Sequence, residues 1–309
     1  MLALFLLALI QTEGEATTPK PGKTEFPDRV LFFKMGDKIV SQADKDKYRW
    51  KGAIPNIDIA NESFRVIVPK EYATGEKWGL LVWCSPSEYG GLRGTRDEKF
   101  EEDWLKFLVR NKMLFVAANN APNTRNHLER LQLALSAVAN MKMKYSIDDK
   151  RVVVAGFSGG AKIACLAGRY APEMFCGVIA VCGPIFHHNA PDGNGVYYAA
   201  DMVISESEER TIKKRVAFVF ITGEKDYNYN PSIAIEKAYR KYGFKSLLLE
   251  VPELNHSVPK DLVWFDKSLE FIFDPNAGAQ ERSAKSSKAT KSTKQSPKRN
   301  PLGSSKGKR

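Results

Sequence analysis

The segment Val152-Val-Val-Ala-Gly-Phe-Ser-Gly-Gly-Ala161 is the most informative part of this 309-residue chain. Its three consecutive valines predict a short buried strand, and the next residues match the G-x-S-x-G pattern of a sharp strand-to-helix turn. Such a turn strains the backbone of its central residue, Ser158, and Gly156 and Gly160 avoid a collision between the flanking side chains. The turn lifts the serine hydroxyl above the sheet, beside the free N–H groups of the following helix.

The ten residues after this turn, 161–170, have helical spacing, with small side chains where a helix must pack closely on a sheet. A strand before the motif and a helix of this kind after it favour Ser158 as a nucleophile. The alternative is a glycine-rich turn whose serine only caps the helix.

Apolar strand-like segments alternate with amphipathic helices along most of the chain. We predict strands at 63–69, 78–86, 113–118, 152–157, 175–182, 215–222 and 246–251. We predict helices at 97–111, 124–143, 161–170, 232–242 and 260–273. This alternation predicts an α/β fold with a mostly parallel, doubly wound sheet covered on both faces. A polar span at about 184–214 is predicted as a small insertion after the strand that follows the nucleophile helix, and 30–39 as an outer strand.

The ends of the chain differ in composition from its centre. Met1 to Ile10 are almost purely apolar, too few to span a bilayer, and Gly14-Glu15-Ala16 offers a small-x-small cleavage site. We therefore expect a signal peptide at 1–16 and a secreted or periplasmic protein, with an N-terminal membrane tether as the alternative. We expect a linker at 17–30, one domain at 31–274 and a disordered tail at 275–309.

The formal net charge of +11 belongs mainly to that tail. From Asn276 onward there are ten Lys or Arg and one Glu, so the rest of the chain carries only +2. The tail has no aromatic residue and is rich in Ser, Lys, Thr and Gly, which favours a solvated extension. It could bind an anionic polymer or surface. The folded domain carries no charge pattern for specific nucleic-acid recognition.

Four cysteines, Cys84, Cys165, Cys176 and Cys182, lie in apolar strand or helix contexts without metal-like spacing. We expect buried free thiols rather than a disulfide scaffold. In an exported protein, Cys165 with Cys176 is the pair to check. Neither a ligand cluster nor a phosphate-binding loop is present in the sequence, so no metal and no cofactor are expected.

A serine nucleophile needs a general base and a group that orients the base. Of the four histidines, His256 directly follows a predicted strand, and Asp226 follows the strand before it. Loops at the carboxyl ends of parallel strands converge on one crevice, so Ser158, Asp226 and His256 are expected to meet there. Their order along the chain is the one used on this class of fold. Alternatively, Asp226 is a turn or cap residue and His256 a packed loop residue.

Three segments carry a family resemblance: Gly156-Phe-Ser-Gly-Gly-Ala-Lys-Ile-Ala164, Ile221-Thr-Gly-Glu-Lys-Asp226 and Glu253-Leu-Asn-His256. With the run 145–152 before the turn, they resemble the α/β-hydrolase superfamily, closest to its secreted polyhydroxybutyrate-depolymerase and feruloyl-esterase-like branch. The likeness runs from about residue 63 to 274. It implies an α/β-hydrolase fold with Ser158 as nucleophile, His256 as base and Asp226 as the residue that orients the base.

One departure from the family concerns the oxyanion hole. Where the family has His-Gly and a further residue after its third strand, this chain has Cys84-Ser85-Pro86, and proline has no N–H. We expect backbone donors from Gly159 and from the loop, with Ser87 the preferred loop candidate and Ser85 the other; the alternative is that the loop donor is absent. A missing donor typically costs about 10²–10³ in rate.

The resemblance implies an exported serine hydrolase that acts on small or polymeric carboxylic esters through an acyl-enzyme. A serine peptidase on the same fold is an alternative, because the triad does not separate esters from amides. A catalytically weak binding protein is the other, since the Cys84-Ser85-Pro86 run weakens the expected oxyanion hole.

Overall fold

The computed structural model describes residues 24–25, 57, 62–73, 75–87, 98–187 and 204–274. The predicted signal peptide, the predicted outer strand at 30–39, the basic tail and most of the predicted linker lie outside these residues.

A single sheet organises the described part of the chain. Its strands are β1 (Thr24–Glu25), β2 (Phe64–Ile67), β3 (Trp78–Cys84), β4 (Met113–Ala118), β5 (Ile147–Phe157), β6 (Gly177–Val181), β7 (Ala217–Gly223) and β8 (Lys245–Val251). They lie in the order β1-β2-β4-β3-β5-β6-β7-β8. The six strands from β4 to β8 in that order are parallel, and β2 is antiparallel to both of its neighbours.

Helices connect the parallel strands. They are α1 (Glu98–Arg110), α2 (His127–Lys144), α3 (Gly159–Tyr170), α4 (Glu206–Arg215), α5 (Tyr229–Lys241) and α6 (Val263–Phe273). The prediction of a mostly parallel, doubly wound α/β sheet is confirmed. None of the helices in the described ranges is both long enough and apolar enough to cross a bilayer.

Each face of the sheet buries its own apolar core, because successive strand residues point to opposite faces. On β3, Leu80 and Val82 pack in the larger core, which α2, α3 and α5 cover. Leu81 and Trp83 pack on the other face, beneath α1 and α6. Strands buried on both faces need a continuous apolar sequence, which explains why β3 and β4 are buried along their whole length.

Two regions differ from the sequence-based expectation. Thr24–Glu25, inside the predicted linker, pairs with β2, so the sheet extends into that segment. The predicted insertion at 184–214 ends in helix α4, which keeps the strand–helix alternation between β6 and β7. A capping box between Ser205 and Glu208 begins α4, and Ile212 is its one buried residue, so the helix has little apolar periodicity to reveal it.

Candidate active site

The turn between β5 and α3 holds Ser158 with φ 54° and ψ −119°, a strained conformation for a non-glycine residue. Close backbone approaches around the turn explain its glycines. A Cβ on Gly156 would lie 2.4 Å from the carbonyl oxygen of Gly160, and one on Gly160 would lie 1.9 Å from the carbonyl oxygen of Cys84. The turn therefore fits tightly against the end of β3, and Ser158 faces the cleft at the carboxyl ends of the strands.

His256 lies in the loop after β8 and joins the serine to a carboxylate. Its Nε2 is 2.9 Å from the Ser158 Oγ, and its Nδ1 is 2.8 Å from the Asp226 Oδ1. The three predicted residues thus form one chain of hydrogen bonds, although they are far apart in sequence. The imidazole is 20% exposed and the carboxylate is fully buried, so Asp226 faces the imidazole and not solvent.

Several donors hold the Asp226 carboxylate. The backbone N–H of Asn228 donates to Oδ1 at 3.0 Å, and the Thr222 hydroxyl donates to Oδ2 at 3.4 Å. Burial, together with the negative charge of the nearby Asp226, raises the pKa of the Cys182 thiol far above its usual range. The thiol is therefore protonated at neutral pH, and its S–H donates to the Ser257 carbonyl oxygen at 3.5 Å. The Asn228 and Thr222 contacts fix the carboxylate in the orientation that receives the His256 Nδ1–H.

The only candidate cation ligands grouped within the described ranges are Cys182, Asp226 and His256, whose ligand atoms lie within 4.8 Å of one another. Two of these residues, Asp226 and His256, are already joined by the hydrogen bond between Oδ1 and Nδ1. A carboxylate that receives two N–H groups, from His256 and Asn228, is arranged to orient an imidazole.

Two aromatic rings enclose His256 in a way that the sequence did not reveal. Tyr227 stacks on the imidazole with ring centroids 4.2 Å apart, and its hydroxyl lies 2.8 Å from Nε2. Phe157, the residue before the serine, lies 4.9 Å from the imidazole, measured between centroids. Tyr227 is 73% exposed, so its ring covers the imidazole from the solvent side. Its position directly after Asp226 was the only available signal, and it does not indicate stacking.

The two predicted oxyanion donors have different surroundings. Gly159 is the first residue of α3, where N–H groups have no partner within a helix. The N–H of Ser87 donates to the Ser85 hydroxyl at 2.9 Å, inside the same loop. The N–H of Ser87 is therefore already hydrogen-bonded within the loop, and Pro86 has no backbone N–H.

The other histidines and the cysteines lie apart from this chain of hydrogen bonds, with the exception of Cys182. His127 is the first residue of α2, and His187 contacts Glu209 at 3.3 Å; His188 lies outside the described residues. All four cysteines are free, so Cys165 and Cys176 are not bonded to each other. The expectation of free thiols agrees with this, and burial raises the pKa of Cys84 to about 12.

Comparison with known proteins gives structural neighbours but no sequence relatives. No family model matches, and no curated protein matches. A ferulic acid esterase structure is 16% identical with a TM-score of 0.52, over 69% of this chain and 93% of its own. Est1E from Butyrivibrio proteoclasticus is 17% identical with a TM-score of 0.49, over 71% and 98%.

A thermostable esterase structure also matches, at 20% identity and a TM-score of 0.44, over 62% of this chain. The match spans about half, 51%, of that esterase. At these identities the likeness concerns the fold. Together with the strand order and the serine turn between β5 and α3, the likeness to the ferulic acid esterase structure shows that this chain has the α/β-hydrolase fold.

Proposed function

We propose that this protein is a serine hydrolase that cleaves carboxylic esters through an acyl-enzyme. The observation that carries the proposal is the unbroken chain of hydrogen bonds from the strained Ser158 through His256 to the buried Asp226. An imidazole placed in this way can remove the proton of a serine hydroxyl, which by itself is a poor nucleophile near neutral pH. The ferulic acid esterase among the neighbours supports an ester as the substrate class.

The reaction follows from the geometry. Ser158 Oγ attacks the ester carbonyl carbon while its proton moves to His256 Nε2, which forms a tetrahedral oxyanion and an imidazolium. The buried Asp226 carboxylate stabilises the imidazolium through the Nδ1–H bond. Collapse of the intermediate breaks the bond to the leaving oxygen, and Nε2 returns the proton to that oxygen to release the alcohol. Water then attacks the acyl-serine by the same route in reverse and releases the carboxylic acid.

The oxyanion needs N–H donors near Ser158. The Gly159 N–H at the start of α3 is the proposed first donor, helped by the positive end of the helix dipole. The Ser87 N–H is a second candidate, and it can act only after it leaves the Ser85 hydroxyl. Because the Ser87 N–H donates to the Ser85 hydroxyl, one expected oxyanion donor is occupied. This favours the alternative of a catalytically weak binding protein on the same fold.

A panel of chromogenic esters and amides tests the proposal. We expect hydrolysis of esters that is lost in Ser158→Ala, with amides cleaved far more slowly. Faster cleavage of peptide amides would support the serine peptidase alternative, which has the same triad. Absence of turnover on every substrate, with a ligand still bound, would support the binding protein.

The remaining proposals rest on the sequence. The apolar run Met1–Ile10 supports a cleaved signal peptide and export to the periplasm or the exterior, with a membrane tether as the alternative. The basic segment after Asp274 supports a disordered tail that binds an anionic polymer or surface. The quoted motifs support the polyhydroxybutyrate-depolymerase-like and feruloyl-esterase-like branch. An end of the domain near residue 274 is proposed on the same basis, whereas the pairing of Thr24–Glu25 with β2 favours a start before the predicted residue 31.

A further inference from the structure

The side-chain amide of Asn123 lies against the serine turn. A Cβ on Gly159 would lie 1.9 Å from the Asn123 Oδ1 and 2.9 Å from its Nδ2. The glycine at position 159 therefore leaves room for this amide, and Asn123 is an exposed residue. Asn123 belongs to the loop between β4 and α2, and its backbone N–H donates to the Pro86 oxygen at 2.9 Å. The amide thus reaches the turn from the side of the loop that follows β3.

Arg130 determines which end of the amide is the donor. Its Nη1 donates to the Asn123 Oδ1 at 3.1 Å, and its Nη2 donates to the Ser85 oxygen at 2.6 Å. A guanidinium group has donors only, so the atom that it contacts on Asn123 must be the oxygen. Arg130 is 6% exposed and fixed between these two contacts. The contact therefore leaves the Asn123 Nδ2 as the end of the amide that can donate to another acceptor.

The distance between Nδ2 and Gly159 suits a shared acceptor. From the 2.9 Å separation between Nδ2 and the Cβ position, Nδ2 lies within about 5.5 Å of the Gly159 nitrogen, by standard bond lengths. One oxygen can accept from two N–H donors at about 2.9 Å each when the nitrogens are less than about 5.8 Å apart. The two groups meet this condition beside Ser158.

We propose that Asn123 is a catalytic residue whose Nδ2–H donates to the oxyanion together with the Gly159 N–H. This inference rests on the proposed hydrolase function and deepens it. The side chain takes the place of the backbone donor that the Cys84-Ser85-Pro86 run does not supply. Arg130 is a positioning residue that holds the amide with its nitrogen toward the reacting carbonyl oxygen.

Asn123→Ala tests the proposal, because it removes the donor without adding a charge. We expect kcat to fall by about 10²–10³ with little change in KM, the usual cost of one lost oxyanion donor. Asn123→Asp, which keeps the shape of the side chain but also places a negative charge beside the oxyanion, should lose at least as much. Asn120→Ala, in the same loop, is the matched control and should keep the wild-type rate. Circular dichroism and the melting temperature check folding in each variant.

A trifluoromethyl ketone provides a readout that a structural role would not change, because its adduct with Ser158 carries an oxyanion. We expect its inhibition constant to rise by about the same factor as kcat/KM falls. An Asn123→Ala variant with a near wild-type rate, or with unchanged ketone affinity, would overturn the proposal while leaving the hydrolase function in place. A wild-type protein that hydrolyses no ester and does not bind the ketone would instead overturn the hydrolase function.

Discussion

The contacts of Asp226 lead to a specific prediction for Asp226→Asn. The Asn228 backbone N–H can only donate, and it lies 3.0 Å from Oδ1, so the new amide should place its oxygen there. That oxygen would still accept from His256 Nδ1–H, now 2.8 Å away, and the new NH₂ group would face the Thr222 hydroxyl, which can accept. We therefore expect the imidazole to keep its tautomer and to lose only the negative charge beside it.

The loss of rate follows from the charge alone. A hydrogen bond to a charged group is worth about 1.5–3 kcal/mol and a neutral one about 0.5–1.5 kcal/mol, so the imidazolium that forms during the reaction loses about 1–1.5 kcal/mol of stabilisation. Since each 1.36 kcal/mol is tenfold in rate, kcat/KM should fall by roughly 5- to 13-fold. An amide in the reverse orientation would impose the wrong tautomer and lower kcat by about 10⁴. The two orientations therefore differ by a readily measured factor.

The assay is kcat/KM on one chromogenic ester near neutral pH for the wild type and Asp226→Asn. Asp261→Asn is the matched control, because that exposed carboxylate only caps the Val263 N–H at 3.0 Å. A loss of about 10⁴ or more would refute the argued orientation of the amide. A loss below about threefold would show that Asp226 does not support the base.

Three further predictions concern the triad, the serine turn and the tail. Ser158→Ala and His256→Ala should each abolish ester turnover with folding intact, and the double variant should be hardly worse, because the residues act as a unit; additive losses would contradict this. Gly160→Ala should lower the melting temperature by about 2–12 °C in a thermal scan, because its Cβ would meet the Cys84 carbonyl at 1.9 Å and cost about 1–3 kcal/mol; an unchanged melting temperature would contradict the tight fit. Truncation after Asp274 should leave the melting temperature and the hydrolysis of a small soluble ester unchanged, and a drop of several degrees would show that the tail packs on the domain.

The sequence predicted the sheet because its buried strands carry continuous apolar runs. The predicted bounds of β4 agree with the structure, and those of the helices differ by a few residues at their ends. Helix α4 was included in a polar insertion because Ile212 is its one buried residue. The Ser205 and Glu208 pair of its capping box was a readable signal for the start of that helix.

Part of the site was predictable from the rule that loops at the carboxyl ends of parallel strands converge on one crevice. Ser158, Asp226 and His256 each follow a strand, and this rule is enough to place them in one crevice. The stacking of Tyr227 and the contact of Arg130 with Asn123 depend on how loops fold against each other. Residues at such contacts have no periodicity or fixed spacing, so the sequence did not indicate them.

The central claim is that Ser158 is a nucleophile activated by His256. Its most direct test is labelling of the native protein with a fluorophosphonate, followed by peptide mapping by mass spectrometry. We predict a single adduct on Ser158, loss of ester hydrolysis in proportion to labelling, and very slow labelling in His256→Ala. No adduct on Ser158, or full ester hydrolysis after complete labelling, would contradict the claim.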